Sequence, residues 1–280
     1  MCVADLHIHS HLSDGLLSPL KIVEWGIHKK LRAISITDHD TVSAIDEAIS
    51  YSLNKDIEVI PGIELSTEYC GVEVHMLGYY FNYNDILLKQ FLDKLIEGRM
   101  ERAKTMVKKL KRLGFNIEFD HICETAKFAS AIGRPHIARA MVSLGYCNSI
   151  EEVFEKYIGI GKPAYVERYK ISPFQAVEII LKCGGAAAIA HPGLIINIDK
   201  FLLIKKLYNW GLRGIEVYHT AHTKEDIIYL NNIAKKLDLI PTGGSDCHGI
   251  IINNEPMIGS VVVPYSNVIR LKESIYKEKN

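Results

Sequence analysis

The 280 residues predict an α/β barrel carrying a helical insertion. Three observations lead there. Short β-branched runs alternate with helical periodicity in both halves of the chain. Histidines and carboxylates recur where those strands end, which is the face on which α/β barrels place their sites. Over residues 85–162 the alternation gives way to helical pattern with no clear strand.

The first stretch is Asp5-Leu6-His7-Ile8-His9-Ser10-His11-Leu12-Ser13-Asp14-Gly15. His7 and His9 occupy alternate positions of a short strand over 3–9, so their imidazoles share one face. The Ser-Asp-Gly turn can return Asp14 over the strand end, adding a hard oxygen to two borderline nitrogens. A single strand histidine is usually a hydrogen-bonded core residue. A spaced pair followed by a carboxylate points instead to a metal, whereas His11 is read as a surface residue. Residues 17–30 form a helix, capped by Ser18 with Pro19 at its first position. A strand over 31–37 ends in Thr37-Asp38-His39-Asp40-Thr41 and contributes a third imidazole. A helix over 42–53, a strand over 58–66 with Glu64 near its end, and a β-rich stretch over 72–79 holding His75 follow.

Residues 86–113 read as one long helix stopped by Gly114. Its exposed face is basic (Lys94, Arg99, Arg102, Lys104, Lys108, Lys109, Lys111, Arg112), the usual pattern of a solvated surface. Gly133-Arg134-Pro135-His136 starts a further helix, where free N–H groups and the positive dipole end suit a phosphate. The barrel rhythm then resumes with a helix over 173–182, a stop at Gly184-Gly185 and a small-residue strand over 186–190 that ends in His191-Pro192-Gly193. A helix over 201–211 leads to a strand over 214–218, with His219 and His222 in the loop beyond it. After a helix over 224–237, residues 239–244 run into Ser245-Asp246-Cys247-His248-Gly249. The expected organisation is a barrel over 1–84, the insertion as a substrate cap over 85–162, and the rest of the barrel over 163–280.

A hydrophobic fraction of 48% is enough for a sizeable core. Lys plus Arg equals Asp plus Glu at 33 each, so the overall charge does not mark a protein that coats nucleic acid or an anionic membrane. No apolar run approaches the roughly 18 residues of a membrane span. Strand-like sequence stands where a signal peptide would need a charged and then an apolar segment, so a cytoplasmic location without membrane contact is expected. Cys2, Cys70, Cys123, Cys147, Cys183 and Cys247 lack CxxC spacing, which argues against a disulfide framework and a zinc ribbon. They read as buried thiols, with Cys247 set apart by its neighbours.

The strand-end donors are His7, His9, Asp14, His39, Glu64, His75, His191, Asp246 and His248. One ion takes about four to six ligands, so donors in this number imply two or three divalent ions.

Taken in order, Asp-Leu-His-Ile-His-Ser with Ser13-Asp14-Gly15, Thr37-Asp38-His39-Asp40, Pro61-Gly62-Ile63-Glu64, Ala190-His191-Pro192-Gly193 and Gly244-Ser245-Asp246-Cys247-His248-Gly249 resemble the successive motifs of the PHP (polymerase and histidinol phosphatase) superfamily. The resemblance spans residues 1 to about 265. It implies a distorted (β/α)7 TIM-like barrel, the PHP fold, and a trinuclear site. One metal would be held by His7, His9, Glu64 and Asp246, a second by Glu64, His75 and His191, and a third by Asp14, His39 and His248, with Glu64 bridging. Mn2+ is the first expectation, with Zn2+ or Fe2+ as alternatives. The insertion with Gly133-Arg134-Pro135-His136, Gly161-Lys162-Pro163-Ala164-Tyr165-Val166 and Glu216-Val217-Tyr218 resemble the branch of 3′,5′-nucleoside bisphosphate phosphatases, also described as 5′→3′ exoribonucleases (RNase AM). Two positions depart from the family pattern: Cys247 stands where an aromatic residue is common, and His219 adds an imidazole at a variable position.

The expected activity is hydrolysis of 3′,5′-nucleoside bisphosphates to nucleoside 5′-monophosphate and phosphate, and of short 5′-monophosphorylated RNA from its 5′ end. Clustered divalent ions lower the pKa of a bridging water and neutralise phosphoryl oxygens. The leaving alkoxide still needs a proton, and His222 is the candidate general acid. Arg134 and His136, with Arg99, are expected to grip the phosphate or nucleotide. Alternatives are a histidinol-phosphate phosphatase or another small-molecule phosphatase of the superfamily, a metallo-amidohydrolase, and a non-catalytic nucleic-acid-binding module using the basic helix. The early Asp14 and terminal Asp-x-His weigh against the amidohydrolase. A donor cluster that binding alone does not need weighs against the module. The expected partner is a nucleotide or short RNA substrate, with no obligate protein partner.

Overall fold

The computed structural model of the chain describes residues 2–276 apart from 128, 130, 131 and 168. Strand β1 (Val3–Ile8) is buried almost throughout, as a strand covered on both faces must be. Helix α1 (Pro19–His28) starts as expected, with the Ser18 side chain accepting from the Lys21 amide. β2 (Ala33–Ile36), α2 (Ile45–Ser52), β3 (Glu58–Tyr69) and β4 (Val72–Tyr79) follow.

Here the structure departs from a simple parallel alternation. β3 and β4 form a hairpin through Cys70 and Gly71, both at positive φ (50° and 79°), so β4 runs antiparallel to β3 and also to its other neighbour. Because β3 continues to Tyr69, Glu64 sits at mid-strand and not near the strand end, and His75 is presented by the reversed strand.

The next segment is helical. α3 (Ile86–Arg112) is capped by Asp85, and α4 (Phe119–Ala126), α5 (Arg134–Ser143) and α6 (Ile150–Val153) follow, the last passing into a single π-helical turn at Phe154–Ile158. α3 is shared between two cores. Leu88, Leu92 and Leu95 pack into the cluster around the barrel, whereas Met106 and Leu110 join Ile122, Ile137, Met141 and Ile158 in a separate one. The chain returns through α7 (Pro173–Lys182), β5 (Ala186–Ile189), a 3-10 turn at Pro192–Leu194, α8 (Lys200–Asn209), β6 (Gly214–His219), α9 (Lys224–Leu237) and β7 (Ile240–Gly244). It ends with a hairpin of β8 (Ile251–Ile252) and β9 (Glu255–Pro256), then β10 (Val263–Pro264) and α10 (Tyr265–Ser274).

The main sheet has the order β10-β1-β2-β3-β4-β5-β6-β7. It curls until β7 meets β1: the Asp246 amide donates to the His7 carbonyl at 2.8 Å and the His9 amide to the Cys247 carbonyl at 3.0 Å. A side chain at Gly244 would collide with the His7 backbone, so this closure requires glycine there. Small side chains Ala4, Ala33, Ala186 and Ala188 line the interior with Leu6, Leu77 and Tyr79, whose hydroxyl donates to the Leu6 carbonyl at 3.0 Å.

Two smaller expectations fail. Cys147, Cys183 and Cys247 are buried, but Cys2, Cys70 and Cys123 are exposed, since they precede β1, occupy a turn and face outward on α4. His11 is half-buried in the turn after β1, where its amide bonds the Leu17 carbonyl at 2.8 Å. Among the described residues, no helix is long and apolar enough to cross a membrane.

Candidate metal centre

β1 places His7 and His9 on one face, both fully buried, with their Nε2 atoms 3.1 Å apart. Asp246 Oδ1 lies 3.3 and 3.0 Å from these two nitrogens. Glu64 Oε2 lies 3.3 and 3.2 Å from the same pair. The other oxygen of Glu64 meets His75 Nδ1 at 2.9 Å and His191 Nε2 at 3.0 Å. Asp14 lies 3.6 Å from His9 Nδ1, 3.4 Å from His248 Nε2 and 3.8 Å from His39 Nε2. All nine donors read from the sequence therefore converge, with Glu64 at the middle. The grouping differs from the inferred sets at His9 and His39. His9 belongs both with His7 and Asp246 and with Asp14, His39 and His248, and His39 also falls with Glu64 and His75. Each of these rings is a thin wedge between carboxylates and offers one nitrogen to either side.

Positioning this cluster strains the backbone. His191 and Asp246 have φ of 28° and 50°, values sparsely populated by residues with side chains. Hydrogen bonds hold both residues there: the Asp246 amide donates to His7, and the His191 amide donates to Glu216 Oε2 at 2.6 Å. Glu216 is fully buried on β6, and its other oxygen meets His7 Nδ1 at 3.0 Å, turning His7 Nε2 toward the cluster. Asp5, also fully buried, ties the β7 end to β1 by accepting from the amides of Ser245 at 2.9 Å and Gly259 at 2.8 Å. Asp38 accepts from Ser10 and Ser13, each hydroxyl at 2.5 Å, and so fixes the turn that carries Asp14.

The residues present fit divalent cations. His9 Nδ1 and His39 Nδ1 are buried without a hydrogen-bond partner, a costly condition that a cation relieves. Burial works to raise the carboxyl of Glu64, but His39, His75 and His7 hold it well below the usual range. Asp14 and Asp246 behave likewise. Burial depresses His9, yet Asp246 and Glu64 overcome it and push the ring up to about 10. The cluster thus demands positive charge, as protons or as metal. Its donors are oxygens and imidazole nitrogens, which suit borderline divalent ions. Burial raises the Cys247 thiol, whose sulfur accepts from the Gly249 amide at 3.3 Å.

Beside the donors lies a cavity of about 120 Å³ lined by Asp14, His39 and His75 and by Arg99, Arg102 and Arg134. Arg99 is held by Asp40 at 2.6 Å and Ser66 at 2.8 Å, and Arg134 donates to Glu73 at 3.2 Å with its guanidinium 5.5 Å from the Phe154 ring. His136 is placed elsewhere. It is buried, its Nδ1 accepts from the Gly133 amide at 3.0 Å, and a second hydrogen bond joins it to the Ser13 backbone. It fastens the start of α5 to the Asp14 turn.

His222 is corrected by its hydrogen bonds. Its Nδ1 donates to the Val217 carbonyl at 2.9 Å, and its Nε2 accepts from the Gly193 amide at 3.1 Å. The ring is therefore neutral with its one proton committed, and it presents none to a leaving group. His219 Nδ1 likewise accepts from the Ala221 amide at 3.1 Å, leaving Nε2 to donate to Asp246 at 3.3 Å.

Sequence reasoning missed Glu216 and Glu73 as site residues and read Arg102 as surface. Signals were present: a lone carboxylate inside an apolar strand, and an acid two residues from His75 on the same strand face. A larger cavity of about 350 Å³, bordered by Tyr208, Arg213, Asp238 and Arg270, opens at the opposite, N-terminal ends of β6 and β7 and contains none of the donors.

A family model, the PHP domain, matches residues 5–160. A 5′-3′ exoribonuclease of Haemophilus influenzae is 33% identical over 87% of this chain and 89% of its own length. A 3′,5′-nucleoside bisphosphate phosphatase of Chromobacterium violaceum is 32% identical over 89% and 88%. A crystal structure from Bifidobacterium adolescentis, described as a candidate metal-dependent phosphoesterase, superposes with a TM-score of 0.88 at 27% identity, covering 97% of this chain and 96% of that one.

Proposed function

Because the chain belongs to the PHP domain family and is a metal-dependent phosphoesterase, we propose that it acts in the cytoplasm on nucleotides. The reaction is cleavage of 3′,5′-nucleoside bisphosphates to nucleoside 5′-monophosphate and phosphate, with short 5′-monophosphorylated RNA as a second substrate attacked from its 5′ end. The observation that carries this reading is the cavity that sets Arg99, Arg102 and Arg134 against Asp14, His39 and His75. A phosphate there reaches the metal-ligating side and guanidinium donors together. The names of the two relatives support the choice of nucleotide.

In this reading His7, His9, Asp14, His39, Glu64, His75, His191, Asp246 and His248 hold two or three divalent ions, Mn2+ first, with Zn2+ or Fe2+ as alternatives. Such ions supply hydroxide near neutral pH and neutralise charge on the phosphoryl oxygens. The remaining tasks fall to this chain's other residues. Glu216 fixes the His7 ring, His136 fixes the Asp14 turn against α5, and Arg134 and Arg99 orient the phosphate. With His222 committed to backbone, the leaving oxygen takes its proton from solvent in the cavity.

The test is phosphate release by the metal-reconstituted protein from a 3′,5′-bisphosphate nucleotide and from histidinol phosphate, together with mononucleotide release from short 5′-monophosphorylated RNA. A kcat/KM at least tenfold higher on the bisphosphate than on histidinol phosphate supports the reading. The reverse preference replaces it with a histidinol-phosphate phosphatase.

A further inference from the structure

Two of the three arginines that line the cavity are held in different ways. Arg99 is paired with Asp40, which is 3% exposed, sits at a φ of 54° and also accepts from the Ser66 amide at 2.9 Å, so this pair is locked. Arg134 is paired with Glu73, which is 35% exposed at the cavity wall, and the bond is longer at 3.2 Å. The other oxygen of Glu73 meets His75 Nε2 at 3.0 Å. Glu73 is thus anchored on a metal-ligating ring and cannot follow Arg134 away when an anion arrives.

We propose that Glu73 is an internal competitor for Arg134: its carboxylate occupies the guanidinium when the cavity is empty and takes it back from inorganic phosphate, weakening retention of that product. The inference rests on the phosphoesterase reading, but not on which ester is cleaved, because inorganic phosphate is the ligand in question. A carboxylate and a phosphate both accept hydrogen bonds and cannot share the same guanidinium protons. Glu73 acts through Arg134 and is a positioning residue.

The experiment measures inorganic phosphate binding by calorimetry to metal-loaded wild type, Glu73→Gln, Arg134→Ala and the double variant, with metal content determined for each. Glutamine keeps the shape and removes the charge. The expected result is phosphate binding about tenfold tighter in Glu73→Gln at unchanged metal content, with less than a twofold change when the same substitution is made in the Arg134→Ala background. Unchanged or weaker phosphate binding in Glu73→Gln overturns the proposal. Equal tightening in both backgrounds also overturns it, since the carboxylate would then repel phosphate without competing for Arg134. Loss of metal from Glu73→Gln overturns it in a third way, by showing that the residue serves only to hold His75. None of these outcomes depends on whether nucleotides prove to be the substrate.

Discussion

Glu216→Gln is the most informative perturbation of the centre. The wild-type carboxylate accepts from two donors at once, His7 Nδ1 at 3.0 Å and the His191 amide at 2.6 Å, in a fully buried position. The amide of glutamine can accept from one of them only, and its NH2 group then opposes the other donor. A buried donor left unsatisfied costs about 1 to 3 kcal/mol, and that is the expected loss of stability in the metal-free protein, read by urea denaturation. Because His7 is no longer oriented by a charged partner, metal affinity should fall by roughly 10- to 100-fold, read by competition with a chromophoric chelator. The full complement of ions should still bind at saturating metal. Unchanged affinity refutes the orienting role. Loss of one whole ion at saturation refutes it differently, by making Glu216 itself a ligand.

Arg134→Ala should raise KM for a bisphosphate nucleotide by roughly 10- to 150-fold, the equivalent of one charged hydrogen bond to phosphate, without loss of metal; a wild-type KM would exclude the cavity as the phosphate site. His222→Ala should slow a nucleotide ester and nitrophenyl phosphate by the same factor, because the ring has no proton to give. A loss of about 10²-fold confined to the nucleotide ester would restore it as general acid. Burial pushes His136 down to about 4, below its ordinary 6.5, so the unfolded chain takes a proton that the folded chain refuses. Its contribution is present above pH 6.5 and is lost toward pH 4, and His136→Gln in metal-free protein should abolish a swing on the order of 3 kcal/mol at most; parallel stability profiles would show that another group governs that range. His9 and His75 have the opposite sign, since Asp246 and Glu64 overcome burial and raise them to about 10 and about 9. Their contribution in chelator-treated protein is therefore complete below pH 6.5 and is lost as pH rises through 9 and 10, a decline that saturating Mn2+ removes; an equal decline with metal bound would place its origin elsewhere.

Much of this was legible because periodicity reports which face a residue shares. The two-residue spacing of His7 and His9 put them together, and the cap Ser18 with Pro19 behind it marked α1 at its observed start. Period two says nothing of strand direction, however, so β4 could be recognised but not seen to run backward. β8, β9 and β10 have two residues each, too short for any pattern. Glu216 was legible only as part of the Glu216-Val217-Tyr218 strand because its partners lie 209 residues away at His7 and 25 away at His191. The backbone partners of His222 were hidden for a similar reason. Proximity to a strand end is visible in sequence, whereas the capture of both ring nitrogens by backbone groups is a tertiary fact.

The seam between β1 and β7 also sets a timetable for synthesis. His7 and His9 leave the ribosome long before the segment they depend on, since the strand that carries them pairs on one side with residues 263 and 264 and is bonded through Asp5 to residues 245 and 259. Asp246 and His248 emerge with that same late segment. The helical segment of α3 to α6 closes on neighbours near in sequence and can consolidate while the chain is still growing, whereas the barrel must wait for residues 240–264. Metal capture therefore follows synthesis of that segment, and a nascent chain arrested before residue 240 would expose the imidazoles of β1 without the carboxylate that joins them to the end of β7.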